Sequence, residues 1–112
     1  MTIERKLVSD REVLVVSGRM DAENAPQFEN ECNARIAEGA KMLVIDAEGL
    51  SYVSSMGLRG FVSVAKILKE NGGELRICCL RGLVNQVFEI TGLKRSLSIF
   101  ESLESATGGA RE

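Results

Sequence analysis

The chain of 112 residues is long enough for one domain with its own core, and its 45% hydrophobic and 27% charged residues are a globular balance. Lys and Arg number 14 against 16 Asp and Glu, a net charge of −2 without a basic block, so neither duplex nucleic acid nor an anionic membrane is an expected partner. Aromatic residues make up 4%, too few for surfaces that stack single-stranded bases.

The N-terminal segment MTIERKLVSD is charged. No segment is apolar over the length that a signal peptide or a membrane span requires. We therefore expect a cytoplasmic protein.

Two strands are predicted at the start of the chain. The stretch TIERKLVS alternates between polar and apolar residues, and EVLVVS, from Glu12 to Ser17, follows it across a turn expected at Asp10 and Arg11. The two strands should pair as an antiparallel hairpin.

A helix and a buried strand are predicted next. Between Asn24 and Glu38 the apolar residues recur at helical spacing, with Asn24 as the N-cap, Pro26 in the first turn and Gly39 at the end. The following run KMLVID, residues 41–46, is almost continuously apolar, which is typical of a strand covered on both faces. We expect this strand to be central in the sheet.

The second half of the chain alternates in the same way. A helix is predicted from Met56 to Asn71, ended by a glycine pair, with an apolar stripe of Leu58, Phe61, Val62, Ala65 and Leu68. The strand ELRICCL, a helix from Leu83 to Thr91 and the short strand LSIF, from Leu97 to Phe100, complete the pattern.

Strands that alternate with helices predict an α/β fold with a mixed, mostly parallel sheet, in which the N-terminal hairpin adds an antiparallel strand and the helices pack on the sheet. We expect a single domain over residues 1–106. The last six residues, TGGARE (107–112), are small and polar and are expected to form a frayed tail.

The sequence predicts no metal site and no cofactor. Cys78 and Cys79 are adjacent in a predicted strand, where neighbouring side chains point to opposite faces, so their thiols are not expected to pair. The chain contains no His, no CxxC spacing and no phosphate-binding glycine motif. We expect the three cysteines to be buried or half-buried structural thiols.

The stretch YVSSMGLRGF places two serines, Ser54 and Ser55, after an apolar strand and before a helix. One hydroxyl could cap the helix, since a serine at that position accepts a hydrogen bond from a free backbone N–H group. A catalytic nucleophile is disfavoured because no His could act as its base. A third interpretation is a phosphorylation site, because the helix N-terminus tolerates a phosphate and a kinase would supply the chemistry.

Four stretches, in this order and spacing, resemble the STAS domain family, in particular the small bacterial anti-sigma factor antagonists: GRMDAENA, LVIDAEGLSYVSSMGLRGF, GGELRICCL and VFEITGL. The family often carries Asp before its acceptor serine, where this chain has Ser54, and a second serine after it, where this chain has Met56.

The resemblance implies a partner-switching protein without enzymatic activity. Such a protein binds an anti-sigma factor serine kinase with its ATP when unphosphorylated and thereby releases a sigma factor or another effector. Phosphorylation ends the binding, and a PP2C-type phosphatase restores it. By its position in the motif, Ser55 is the implied acceptor, with Ser54 as the alternative. The implied partner-binding residues are Asp21, Asn24, Ser54, Ser55, Met56, Gly57 and Arg59.

Two of these residues have structural alternatives. Asp21 could be a turn former or a charge at a helix N-terminus. Gly57 could serve tight packing between helix and strand instead of partner contact. Other functions also stay open: a STAS scaffold or accessory subunit of a larger regulatory or transport assembly, and, least favoured, a small enzyme. We expect a monomer.

Overall fold

The computed structural model describes residues 1–108, which form one mixed sheet with helices on both of its faces. Its strands are β1 (Thr2–Val8), β2 (Arg11–Met20), β3 (Met42–Asp46), β4 (Leu50–Val53), β5 (Glu74–Cys78) and β6 (Ser98–Phe100). Its helices are α1 (Ala25–Ala37), α2 (Ser55–Glu70), α3 (Gly82–Ile90), α4 (Leu93–Ser96) and α5 (Leu103–Gly108).

The sheet order is β1-β2-β3-β5-β6, so the predicted central position of β3 is confirmed. β1 pairs with β2 antiparallel, and the other pairs are parallel, which confirms the predicted mixed sheet. β3 pairs with the first part of β2, and β4 pairs with its last part after a register shift at Gly18 and Arg19. This separate pairing of β4 was not predicted. It matters because β4 leads directly into the two serines.

The hairpin turn lies one residue earlier than expected. Ser9 and Asp10 are its central residues, with φ of 51° and 64°, while Arg11 already pairs with Val8. Positive φ at both central residues matches the right-handed twist of the flanking strands, which favours this two-residue turn over the predicted one.

The core on one face of the sheet is built by α1, α2 and α3. Each contributes one phenylalanine: the rings of Phe28 and Phe61 lie 4.7 Å apart, and those of Phe61 and Phe88 lie 5.5 Å apart edge to face. All three side chains are fully buried. Aromatic pairs at such distances stabilise a core beyond their buried area, so the Phe cluster fixes the three helices on the sheet.

The other face of the sheet is covered by α5. Ala106 is buried there against Val13, Val44 and Cys78. The buried Arg76 of β5 holds the helix by donating from its Nη1 to the carbonyl of Ala106 at 2.9 Å. The helix α5 was not predicted from the sequence.

A frayed tail was expected from residue 107, but residues 107 and 108 belong to helix α5. Thr107 is helical and buried, and its hydroxyl donates to the carbonyl of Leu103 at 2.8 Å. Packing on the sheet therefore orders the first part of this polar stretch. Residues 109–112 lie outside the described part of the chain.

The expected burial of the cysteines is confirmed, but their expected orientation is wrong. Cys32, Cys78 and Cys79 are all buried, yet the sulfur atoms of the adjacent pair lie within 4.8 Å of each other. β5 ends at Cys78, and Cys79 takes a left-handed conformation with φ of 66°. The alternation of a strand does not extend to a residue in that conformation, so the two thiols come together.

Candidate functional site

The turn between β4 and α2 is held by Ser54. Its backbone is extended and it is the N-cap of α2, where its Oγ accepts from the backbone N–H of Gly57 at 3.2 Å. Its N–H donates to the carbonyl of Met20 at 2.8 Å, and its carbonyl accepts from Leu58 N–H at 2.9 Å. The predicted capping role therefore belongs to Ser54, and its hydroxyl oxygen is engaged in the turn.

Ser55 is the first residue of α2, and its side chain is exposed. Within the described residues 1–108 its hydroxyl makes no hydrogen bond, in contrast to that of Ser54. The first backbone N–H groups of a helix and its macrodipole favour an anion at this position. A phosphate on Ser55 would lie in solvent at a helix end that accommodates negative charge.

Gly57 was expected on the partner-binding surface, but the structure buries it under β2 and β4. A Cβ atom on this residue would lie 2.7 Å from Cγ2 of Val53 and 2.8 Å from Sδ of Met20. The close approach of α2 to the two strands requires a residue without a side chain, so the packing alternative holds for Gly57.

Asp21 and Asn24 form one hydrogen-bonded turn that leads from β2 into α1. Oδ1 of Asp21 accepts from the N–H groups of Glu23 and Asn24, at 3.0 and 2.9 Å. In return, Oδ1 of Asn24 accepts from Asp21 N–H at 2.9 Å, and its Nδ2 donates to the carbonyl of Arg19. Asn24 is the N-cap residue, as predicted, but its side chain binds backward to this turn and does not cap α1. The turn-forming alternative for Asp21 is thus realised.

The register of the sheet brings this turn to the serines. Met20 of β2 pairs with Val53 of β4 in parallel, so the next residues, Asp21 and Ser54, follow side by side at the same edge of the sheet. The guanidinium of Arg19 lies 4.2 Å above the ring of Tyr52 in the same strand pair. Two segments that are distant in sequence therefore share one surface, which we call the serine surface: residues 19–24 and 54–59.

Met56 and Arg59 complete the serine surface on α2. Met56 is 41% exposed, and Arg59 is exposed one helical turn beyond Ser55. Val62 was expected in the apolar stripe that faces the core, but its side chain is 42% exposed.

Val62 belongs instead to a shallow groove beside the serine surface. The groove has a volume of about 520 Å³. Its lining is mainly apolar and includes two basic side chains: Leu58, Arg59, Val62, Ser63, Lys66, Thr91 and Leu93. Sequence reasoning missed this groove. The signal available was the spacing of Arg59, Val62 and Lys66, which places them on one side of a helix.

The described residues 1–108 include no helix that is long and apolar enough to cross a membrane.

Residues 4–106 match the STAS domain family. Over 94 residues the chain is 37% identical to BtrV of Bordetella bronchiseptica, which is named as an anti-sigma factor antagonist; the match covers 84% of this chain and 81% of that protein. It is 33% identical over 89 residues to the anti-sigma-B factor antagonist of Staphylococcus aureus, covering 80% and 82%.

Solved structures show the same fold. An anti-sigma factor antagonist from Mycobacterium paratuberculosis superposes with a TM-score of 0.88 at 25% identity, over 99% of this chain and 94% of that one. The unphosphorylated form of the anti-sigma factor antagonist SpoIIAA superposes with a TM-score of 0.82 at 19% identity, over 98% and 96%. The second likeness bears on the fold alone.

Proposed function

This chain belongs to the STAS domain family, and from that premise we propose that it is an anti-sigma factor antagonist controlled by phosphorylation of Ser55. In its unphosphorylated form it binds an anti-sigma factor serine kinase and thereby releases a sigma factor or another effector. The proposal draws on the names of relatives that are matched over about four fifths of both chains.

The single observation that carries the choice of acceptor is the difference between the two serines. The Ser54 oxygen accepts from Gly57 N–H, whereas Ser55 is exposed at the first position of α2. A kinase needs an accessible hydroxyl that can be turned toward its ATP. Ser55 meets this requirement without any change in the turn, and Ser54 meets it only by giving up its cap.

The effect of phosphorylation follows from charge. A phosphate adds about −1.5 to −2 charges and three acceptor oxygens to the serine surface. An uncharged hydroxyl can be buried in a closely packed interface. A phosphate dianion loses its hydration when a partner covers it, and this loss costs free energy unless the partner supplies compensating contacts. The kinase with its ATP would therefore bind the unmodified surface and lose the modified one, and a PP2C-type phosphatase would reverse the change.

The partner-binding residues that we propose are the exposed or half-buried members of the predicted set: Asp21, Asn24, Ser54, Ser55, Met56 and Arg59. Gly57 acts indirectly, because its packing sets the position of α2. No His is available as a catalytic base, which supports a binding protein without enzymatic activity. We also propose that the protein works as a cytoplasmic monomer that binds neither nucleic acid nor membranes.

The test compares Ser55→Ala with Ser55→Glu. Each form is immobilised, lysate of the native host is passed over it, and the retained proteins are identified by mass spectrometry. We expect the Ala form to retain an ATP-binding serine kinase and the Glu form to lose it. The matched control is Ser96→Glu, which adds the same charge at another place. Ser96 is exposed at the end of α4, ahead of β6 and away from the serine surface. Equal retention by the Ala and Glu forms would refute the switch.

The acceptor is tested with the retained kinase and ATP. The wild type and Ser54→Ala should each gain one phosphate by intact mass, while Ser55→Ala should gain none. Phosphorylation that survives in Ser55→Ala and disappears in Ser54→Ala would assign the acceptor to Ser54. Recovery of both variants in a large assembly, without a kinase, would favour the scaffold alternative.

A further inference from the structure

Three donor atoms meet at the carboxyl ends of the two central strands. They are a carboxylate oxygen of Asp46 and the sulfur atoms of Cys78 and Cys79, and all three lie within 4.8 Å of one another. This dithiol cluster lies on the face of the sheet that α5 covers. It uses none of the residues of the serine surface.

Sheet register accounts for two of the three ligands. Asp46 of β3 and Cys78 of β5 are paired in parallel, and side chains at paired positions point to the same face. The strand ends are held together by the hydrogen bond from Ala47 N–H to the carbonyl of Cys78, at 2.9 Å. Oδ1 of Asp46 accepts from Glu48 N–H at 3.1 Å, which orients the carboxylate. The cluster is therefore part of a rigid scaffold.

The third ligand is placed by an uncommon backbone conformation. Cys79 has φ of 66°, a left-handed conformation that residues with a Cβ rarely adopt. This conformation directs the second thiol toward the first instead of to the opposite face. Non-glycine residues held in such conformations are concentrated at functional sites.

We propose that the dithiol cluster is a binding site for a borderline-soft divalent cation of the Zn²⁺ class. Thiolates select such cations over Mg²⁺ and Ca²⁺, and a carboxylate is a regular third ligand of Zn²⁺. Because only two thiols are present, the cluster is less suited to a trivalent thiophilic ion that prefers three. Binding replaces the two thiol protons, which pass to the buffer, so the ion is held by two thiolates and one carboxylate.

The cluster is buried but can be reached from solvent. Cys78 is fully buried, while Cys79 and Asp46 keep 7% and 8% of their surface. Cys79 also lines a cleft of about 310 Å³, with Arg81, Asn85 and Glu101 at its polar wall. Three protein ligands leave the fourth position of a tetrahedral ion free for water.

The probe is Co²⁺, whose visible spectrum reports four-coordination and whose ultraviolet charge-transfer band reports bound thiolate. The chain of 112 residues is reduced, freed of reductant and titrated with Co²⁺. We expect one ion per chain with both spectral signatures, and we expect Zn²⁺ to remove them by competition. Absence of the charge-transfer band from the wild type would overturn the proposal.

The decisive variant is Cys79→Gly. Glycine adopts a φ of 66° without strain, and this gain offsets part of the loss of the buried Cys79 side chain, so the variant should fold while losing the charge-transfer band. Asp46→Asn should weaken Co²⁺ binding by about tenfold or more, since even residues that only support a ligand cost that much. Cys32→Ala is the control, because Cys32 lies in α1 on the opposite face of the sheet. The charge-transfer band of Co²⁺ should be unchanged in this variant. A band that persists in Cys79→Gly, or disappears in Cys32→Ala, would refute the site.

Discussion

The different contacts of the two serines predict unequal effects on stability when each is replaced by alanine. Ser54→Ala removes the oxygen that accepts from Gly57 N–H at 3.2 Å. That length is at the weak end of the range, but Gly57 is buried, so its N–H would be left without a partner. Loss of an N-cap typically costs about 1 kcal/mol of unfolding free energy. The long hydrogen bond lowers this cost and the burial of the Gly57 N–H raises it, so we expect a loss of about 1 kcal/mol for Ser54→Ala. Ser55→Ala removes an exposed hydroxyl and should change stability by less than about 0.5 kcal/mol.

The measurement is denaturant unfolding of both variants, supported by thermal melts. For a domain of this size, 1 kcal/mol lowers the melting temperature by about 5 °C. Ser54→Asp is the matched control, because Asp is an equally good N-cap and should keep the wild-type stability within about 0.5 kcal/mol. If Ser55→Ala lost as much stability as Ser54→Ala, the assignment of the cap to Ser54 alone would be wrong.

Two further predictions concern the turn between α2 and β5 and the buried thiol of Cys32. Gly73→Ala should lower the free energy of unfolding by about 3 kcal/mol or more, measured by denaturant unfolding, because the new Cβ would lie 2.0 Å from the backbone oxygen of Lys41. The control Gly72→Ala has open space around its Cβ but a φ of 79°, so it should cost about 1 kcal/mol. Equal losses of stability in the two variants would contradict the clash at Gly73. Burial raises the pKa of the Cys32 thiol from 9.0 to about 12, so the unfolded state ionises first and stability falls as pH rises above about 9. The free energy of unfolding is measured at about pH 8 and at about pH 10 for the wild type and for Cys32→Ala. Between these two pH values the wild type should lose about 1.4 kcal/mol more than the variant, and parallel pH profiles would refute this prediction.

The fold was predictable where hydrophobic periodicity is long and local. The spacing of Phe28 and Cys32 in α1, and of Phe61 and Leu68 in α2, indicates the faces that the structure buries. The apolar run of β3 predicts burial on both faces, which the sheet order confirms. These elements have enough residues for a period to be read from sequence alone.

Short elements stabilised by distant contacts were not predictable. α4 spans four residues, and α5 depends on the hydrogen bond from Arg76 to a carbonyl 30 residues away. Its sequence, LESATG, shows no marked amphipathic period. Its packing against the sheet overrides its weak local preference.

The sequence predicted which turn carries the candidate site, but not which side-chain atoms make the contacts within it. A strand followed by two serines and a helix places both hydroxyls at the carboxyl edge of the sheet. Which hydroxyl caps the helix depends on the extended backbone of Ser54, and burial of Gly57 depends on its approach to Val53. Likewise, the meeting of Cys78 and Cys79 depends on a single φ angle that no sequence pattern indicates.

The two borders of the sheet bear on how copies of this chain meet one another. A border strand offers unpaired backbone groups to which a second chain can add a strand. Here β6 has only three residues, which is a short template. β1 is longer, but its middle residues are charged and exposed: Glu4, Arg5 and Lys6. Charged side chains on an edge strand oppose the addition of a second strand, so both borders of the sheet disfavour aggregation through intermolecular β-pairing.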